Sequence, residues 1–331
     1  MNLRKIILVS LAVFLVLIQG SLVYASSNTV FAPSIGGNWV GNGISYSSYR
    51  DGESPDKKSL TPKENILEDL KILSKHWNLI RLYDTSQNSR RVLEVIHEND
   101  LKIKVMQGAW ISGKQTQQQN DAEVSRVIKL ANTYPDIIVA VNLGNEIFVD
   151  WSAHKVNDFK PIVNYIRQTK RSIQQPVTVN DDYNFWNKPA AKKIAKEIDF
   201  IGLHAYAFWN NKTLKGSLKW TQGIYKDIQS RYPNKQIVLG ETGWPTSRIY
   251  NDGTYEGGLI GKANVANLEK FFTQYNEWIN KEKIVSFYFE AFDENWKGGH
   301  DGVNAEAKAE KHWGVYYSNR KPKITLPLKS Q

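Results

Sequence analysis

Beyond residue 37 the chain alternates between short apolar runs and amphipathic stretches. The apolar runs are Asn42–Ser47, Leu79–Thr85, Lys102–Trp110, Ile137–Glu146, Val177–Tyr183, Phe200–Ala207, Gln236–Thr242 and Ile284–Phe292. Most are apolar on both faces, as in "IIVAVNL" and "IVSFYFEAF", a pattern that fits parallel strands covered on both sides by helices. Between them lie stripes at helical spacing. In "TPKENILEDLKILSKHW" the side chains of Ile66, Leu67, Leu70 and Leu73 share a face. Thr61 stands as its N-cap, Pro62 in the first helical position and Glu64 at the capping-box spacing. Similar stripes run through Ser89–His97, Asp121–Ala131, Asp158–Ile173, Pro189–Ile198, Leu218–Tyr232 and Ala263–Asn280.

Eight strands, each but the last followed by a helix, predict an α/β fold, a single (β/α)8 TIM barrel, and the length agrees with that fold. An open doubly wound sheet would want a glycine-rich phosphate loop after an early strand. The segment "GGNWVGNG" is a poor match at the wrong end of its strand. Residues 26–37 read as irregular, and the tail after Tyr317 is expected to lie over the outside of the barrel. No inter-domain linker and no repeat of 20–50 residues interrupts the pattern.

The first residues follow a different rule. Arg4 and Lys5 precede an apolar run from Ile6 to Ile18, and Val23-Tyr24-Ala25 offers small residues for cleavage. The run is shorter than the roughly 20 residues a bilayer span needs. Residues 1–25 are therefore expected to be a secretory signal peptide, and residues 26–331 the barrel domain, secreted or associated with the cell envelope. A retained membrane anchor is the alternative. The 331 residues include no cysteine, so an exported chain of this kind relies on its core. Its formal charge of +10 comes from Lys and Arg that read as scattered, without a basic run interleaved with aromatics. Nucleic acid is not an expected partner, and a monomer with a solvated surface tolerant of anionic envelopes is. Eleven Trp and sixteen Tyr suit a packed core or rings that stack on sugars.

Two segments carry the chemistry. "VNLGNEIFVD" ends its apolar run on Asn145 and Glu146, and "IVLGETGWPT" ends its own on Glu241. In a barrel of this type the C-terminal strand ends converge on one rim. Strands four and seven lie on opposite sides of that rim, so the two carboxylates can face each other across a cleft. Glycoside cleavage needs this pairing: one acid protonates the departing oxygen while the other attacks or activates water. A separation of about 5–5.5 Å means retention and roughly 6.5–9.5 Å inversion. A single strand-end glutamate is often only a solvated terminus; two with the same plan are harder to explain that way. Facing carboxylates do not both ionise easily, so one must hold a proton near neutral pH.

"LGNE" together with "GETGWP" resembles glycoside hydrolase family 17, the β-1,3-glucanase family within the clan of retaining barrel glycosidases. "GISYSSYRDGESPD" is similar to the first-strand loop of its microbial members, "IRLYDT" to the second strand and "VMQGAW" to the third. "FEAFDENWK" is similar to the eighth strand and "EKHWGVYY" to the closing segment. The resemblance implies that Glu146 is the acid/base and Glu241 the nucleophile. It implies that Asn145 bonds the 2-hydroxyl of the sugar at the cleaved linkage, a contact that strengthens in the transition state. It makes Tyr206 the residue that orients the nucleophile, and places Glu294 and Lys297 along the substrate site. Glu310 matches a further acidic position. The implied reaction is cleavage of β-1,3-linked glucan, polysaccharide or oligosaccharide, without a cofactor. Transglycosylation, with a sugar hydroxyl in place of water, needs the same residues. A non-catalytic glucan-binding protein is the third reading, and its usual sign, loss of one catalytic carboxylate, is absent.

Several residues keep two readings. Trp110, Trp244 and Trp296, at strand ends, either stack on sugars or pack the rim. Arg81 either pairs with a carboxylate such as Glu241 or braces the barrel, and Glu290 is a candidate buried partner for it. Asp181 and Asp182 contact hydroxyls or cap the next helix. The six histidines have no HxxxH or HExxH spacing, so no metal is expected, and His204 reads as a hydrogen-bonded site residue. A G-x-S-x-G nucleophile elbow is also missing.

Overall fold

The structure, a computed structural model, describes residues 29–248, 259–298 and 309–328. The expected signal peptide lies outside these residues. Eight parallel strands close into one barrel: β1 (Asn42–Ser45), β2 (Leu79–Arg81), β3 (Lys104–Ala109), β4 (Ile138–Asn145), β5 (Val177–Asp182), β6 (Phe200–His204), β7 (Gln236–Thr242) and β8 (Ser286–Tyr288). Each pairs with the next in sequence, and β8 closes the ring against β1 through Ser286–Asn42 and Tyr288–Ile44. Around them lie α1 (Lys63–Leu73), α2 (Gln87–Glu98), α3 (Gln117–Thr133), α4 (Phe159–Ser172), α5 (Tyr183–Trp186), α6 (Lys192–Ala195), α7 (Leu214–Arg231) and α8 (Val265–Lys281). This is the (β/α)8 TIM barrel that the hydrophobic pattern predicts.

Most strands are shorter than their apolar runs. After Arg81, for example, the chain leaves the sheet although Leu82 is still buried. The apolar run records burial, and the loops that roof the barrel are buried too. Three local expectations are corrected. α1 begins one residue late, with Pro62 as an N-cap that makes no side-chain bond. The Thr61 hydroxyl instead donates to Glu53 at 2.8 Å, so no capping box forms. Residues expected to be irregular contain a small antiparallel pair, Ser34–Ile35 with Asn38–Trp39. The stretch Pro189–Ile198 is a 3-10 turn followed by the four-residue α6.

The barrel interior is layered, because alternate residues of each strand point inward. At the N-terminal end Leu79, Met106, Ala140, Phe200, Val238 and Phe287 form an apolar layer, closed from below by Phe31 stacked on Phe200 at 5.1 Å. Two residues further along, the layer becomes polar: Arg81, Asn142 and Asn180 are buried there. Glycine makes room for them. A Cβ on Gly202 would lie 1.6 Å from the Asn180 side-chain oxygen, and one on Gly240 would lie 2.6 Å from it.

The tail does more than cover the outside. Arg320 forks onto Asp69 of α1 with two bonds of 2.8 Å, and Lys323 reaches Asp293 at 2.6 Å. Both cations are buried.

Candidate active site

The polar layer rises into a cleft of about 470 Å³ at the C-terminal rim, lined among others by Tyr49, Tyr83, Trp110, Asn145, Glu146 and Glu241. β4 delivers Glu146 by a sharp change of direction. The pairing register with β5 shifts between Asn142 and Asn145. Gly144 then takes φ +97°, a conformation that side chains disfavour, and Glu146 itself takes φ +53°. The turn is held by the Glu146 N–H donating to the Asn180 carbonyl at 2.8 Å and the Phe148 N–H donating to Asp181 at 2.8 Å. An αL conformation at a residue other than glycine costs on the order of 1–3 kcal/mol, and it persists here because these bonds fix the residues around it. That is why the strand ends on an amide beside a carboxylate.

Glu241 is gripped from several sides. Arg81 donates to Oε1 at 2.7 Å, the Tyr83 hydroxyl to the same oxygen at 2.9 Å, and the Tyr206 hydroxyl to Oε2 at 2.6 Å. The Arg81 guanidinium also donates to the Gly240 carbonyl at 2.9 Å and to the Asn145 side-chain oxygen. One oxygen of Glu146, one of Glu241 and one nitrogen of His204 all lie within 4.8 Å of one another. That closest approach is in keeping with the short-distance class of carboxylate pairs.

His204 stands between them, fully buried, and its tautomer follows from its neighbours. Nε2 faces Arg81 Nη1 at 3.3 Å. A guanidinium only donates, so Nε2 accepts and Nδ1 carries the hydrogen. Nδ1–H then donates to Glu146 Oε1 at 2.8 Å, with Glu241 Oε2 more distant at 3.5 Å. Burial lowers the imidazole pKa to about 4, so it is neutral at pH 7.

The two glutamates differ in charge state for physical reasons. Burial raises the Glu146 carboxyl well above the usual range, and the nearby Glu241, Asp182 and Glu310 raise it further. Burial also acts to raise Glu241, but it is outweighed, and the group is held below the ordinary value. The lowering causes are the His204 charge when that ring is protonated, then the permanent Arg81 charge and the hydroxyls of Tyr206 and Tyr83. Glu146 holds a proton and Glu241 does not. With His204 donating to Oε1, that proton belongs on Glu146 Oε2. The Glu146 side chain is 15% exposed, on the cleft side, against 5% for Glu241.

The donor set Glu146, His204 and Glu241 has the spacing of a metal site. It does not fit a divalent cation, because the Arg81 guanidinium already sits on Glu241 at 2.7 Å and the Glu146 carboxyl is held protonated.

Asn145, Glu294, Lys297, Trp110 and Trp296 line the cleft, and so does Glu310. Trp296 meets Tyr49 edge-on at 5.9 Å. Tyr206 reaches the site through its hydroxyl alone. Trp244 does not reach it: the ring is fully buried against Phe208 and Phe271, and its N–H donates to the Lys262 carbonyl at 3.0 Å. It packs the outer layer, and no face is left for a sugar. Glu290 is not a partner of Arg81. It pairs with Lys297 at 2.6 Å, which also bridges to Glu294, because a carboxylate just beyond β8 lies closer to its own loop than to β2. Asp181 accepts backbone N–H bonds from Phe148 and Asp182, and Asp182 caps α5 by accepting from Asn184 at 2.8 Å. Two residues escape the sequence reading. Tyr83, two positions after Arg81, shares its face, and that alternation was the available signal for its bond to Glu241. His154 bonds the Asn145 carbonyl at 2.8 Å and packs on Trp110 at 4.9 Å; as a loop residue it gave no signal.

The model of the BtgE/BtgC glycoside hydrolase domain matches residues 43–314. A glucan 1,3-beta-glucosidase of Arthroderma benhamiae is 27% identical over 274 residues, covering 79% of this chain and 84% of that protein. Among solved structures, an endo-laminarinase from Formosa superposes with a TM-score of 0.71 at 23% identity, covering 84% of each chain. A β-1,3-glucanosyltransferase mutant from Rhizomucor miehei, in complex with laminaritriose, gives 0.70 at 21% identity, covering 87% of this chain and 97% of that one. At these identities the structural likeness is one of fold.

Proposed function

From the premise that this chain belongs to the BtgE/BtgC glycoside hydrolase family, we propose that it cleaves β-1,3-linked glucan with retention, Glu146 and Glu241 carrying the reaction. The observation that supports this most is the pair of carboxylates within 4.8 Å in opposite protonation states. The names of its relatives supply the linkage.

In the first step Glu241 attacks the anomeric carbon, and the glycosidic oxygen leaves with the proton of Glu146. A glycosyl ester of Glu241 forms. In the second, Glu146, now a carboxylate, takes a proton from water, and water displaces Glu241. Arg81, Tyr83 and Tyr206 keep the nucleophile ionised and aimed. Their bonds also stabilise it as the leaving carboxylate of the second step. Asn145 has its amide oxygen bonded to Arg81, which turns the NH2 group outward to donate to the sugar 2-hydroxyl. His204 N–H holds Oε1 of Glu146 in both its protonated and ionised states. Transfer to a sugar hydroxyl would use the same machinery. The pattern of residues 1–25 supports export, and the chain is taken to act as a monomer.

The test is incubation with β-1,3-, β-1,4- and mixed-linkage glucans beside Glu146→Gln and Glu241→Gln. Loss of β-1,3 cleavage in both variants is expected; wild-type rates in either would end the assignment. Products longer than a supplied laminari-oligosaccharide would report transfer.

A further inference from the structure

Lysines that read as scattered along the sequence are gathered by the fold. Between Lys160 and Lys226 the chain holds twelve Lys and Arg against four Asp and Glu. With Arg4 and Lys5 set aside, the formal +10 of the chain becomes +8, and all of that excess falls in this span. The rest of the barrel is balanced.

None of the four acids is left to neutralise the surface; just outside the span Asp227 of α7 pairs with Arg231 at 2.7 Å, and the α4 N-cap Asp158 is the one further exposed acid on these helices. Asp181 and Asp182 are buried under backbone N–H donors. Glu197 pairs with Arg167 and Asp199 with Lys170, each at 2.7 Å. Those two pairs also tie α4 to the turn after α6. The Tyr183–Trp220 ring contact and the Tyr232 hydroxyl bond to the Trp186 carbonyl tie α7 to α5. The span is thus one continuous flank of the barrel. On it Lys192, Lys193, Lys196, Lys215, Lys219 and Lys226 are exposed, and none has a carboxylate partner among the described residues. Lys215, Lys219 and Lys226 fall on one stripe of α7.

A flank charged in this way repels itself unless it meets an anion. Lysine ammonium groups act as point charges, suited to phosphates or carboxylates repeated along a flexible chain. The flank wraps a convex wall, and none of the exposed large hydrophobic side chains lies on it. A bilayer would touch few of its lysines and find nothing to insert; a flexible polymer can follow the curve. At its upper edge Lys188 bonds Asp150, on the loop that follows Glu146, so this edge of the flank lies at the same end of the barrel as the cleft.

We propose that the α4–α7 flank binds a linear polymer of sugars or polyols bearing carboxylates or phosphates, holding the catalytic cleft next to it. This goes beyond the glucan-cleaving reading and does not depend on it.

The test compares wild type with the triple variants K192Q/K193Q/K196Q and K215Q/K219Q/K226Q, and with K71Q/K75Q/K281Q as a control of equal charge elsewhere. Binding to poly(glycerol phosphate) and to polygalacturonate is measured over a salt series. Wild type is expected to bind one or both, and which one distinguishes phosphate from carboxylate. Each flank variant should flatten the slope of log affinity against log salt by about 2, from roughly 0.7 per lost contact on a flexible chain. The control should keep the wild-type slope, and all variants should keep their rate on neutral soluble glucan. No salt-dependent binding to either polymer, an equal loss in the control, or tighter binding to phosphatidylglycerol vesicles or duplex DNA would overturn the proposal.

Discussion

Two buried carboxylates in this barrel are dressed almost alike. Asp69 on α1 receives Arg320 through two bonds of 2.8 Å, Arg50 at 2.8 Å and the Tyr46 hydroxyl at 3.1 Å. Glu241 on β7 receives Arg81 at 2.7 Å and the hydroxyls of Tyr83 and Tyr206. Counting partners cannot tell them apart. What differs is the neighbourhood: Asp69 is sealed, with only donors around it, whereas Glu241 opens on a cleft and faces Glu146, a second carboxyl that burial keeps protonated. A buried ion cluster is evidence of order. A buried ion cluster set against an unneutralised acid is evidence of chemistry.

The sharpest way to break this comparison is to neutralise each carboxylate. Glu241→Gln should lose at least about 10⁴-fold in glucan turnover, by analogy with removal of an enzyme nucleophile, and should also unfold more easily, because buried Arg81 loses its counter-charge. Asp69→Asn should cost about 3–5 kcal/mol in denaturant unfolding because buried guanidinium groups lose their counter-charge, but with kcat per folded molecule kept. If both variants failed in the same way, the distinction would be lost.

Removing one phenol sharpens it. Tyr206→Phe deletes a hydrogen bond to a charged group, worth about 1.5–3 kcal/mol. Turnover should therefore fall roughly 10- to 100-fold, and kcat should take most of it. Tyr46→Phe deletes a longer bond of the same kind, 3.1 Å to Asp69, and should cost stability near the lower end, about 1.5 kcal/mol, while leaving kinetics unchanged.

The smallest effect is in pH. Activity needs Glu241 ionised and Glu146 protonated, so the profile should be a bell. Its acid limb is set by the lowered Glu241 and its basic limb by the raised Glu146. Loss of the Tyr206 donor destabilises the carboxylate form of Glu241 and raises its pKa, so the acid limb of Tyr206→Phe should move to higher pH. A limb that moved to lower pH, or a flat profile in wild type, would contradict the assignment of charge states.

How much of this was legible beforehand depends on distance along the chain. The barrel was, since two-sided burial of a strand is written into a run of five or six residues. The positions of Glu146 and Glu241 were too, because each ends such a run and the fold fixes which rims meet. Contacts decided by loops were not. Trp244 stands three residues after Glu241 in "GETGWP" and so looked like a rim residue, but the chain has already turned outward when it reaches the indole. Glu290 reads as part of the eighth apolar run, yet it lies two residues beyond β8 and Lys297 takes it from seven residues away, and no periodicity encodes that. His154 takes its role from a neighbouring carbonyl, which only coordinates reveal, while the one trace of the Tyr83 bond in the sequence is its spacing of two from Arg81.

The tail carries a consequence for biosynthesis. Asp69 emerges from the ribosome 251 residues before Arg320, and until then it has Arg50 but lacks its forked partner. Asp293 waits 30 residues for Lys323. A nascent barrel can thus gather its strands in order, yet it cannot neutralise its first helix until the last segment arrives. Half-length fragments should be poor folders, and closure is a late event in the life of each molecule.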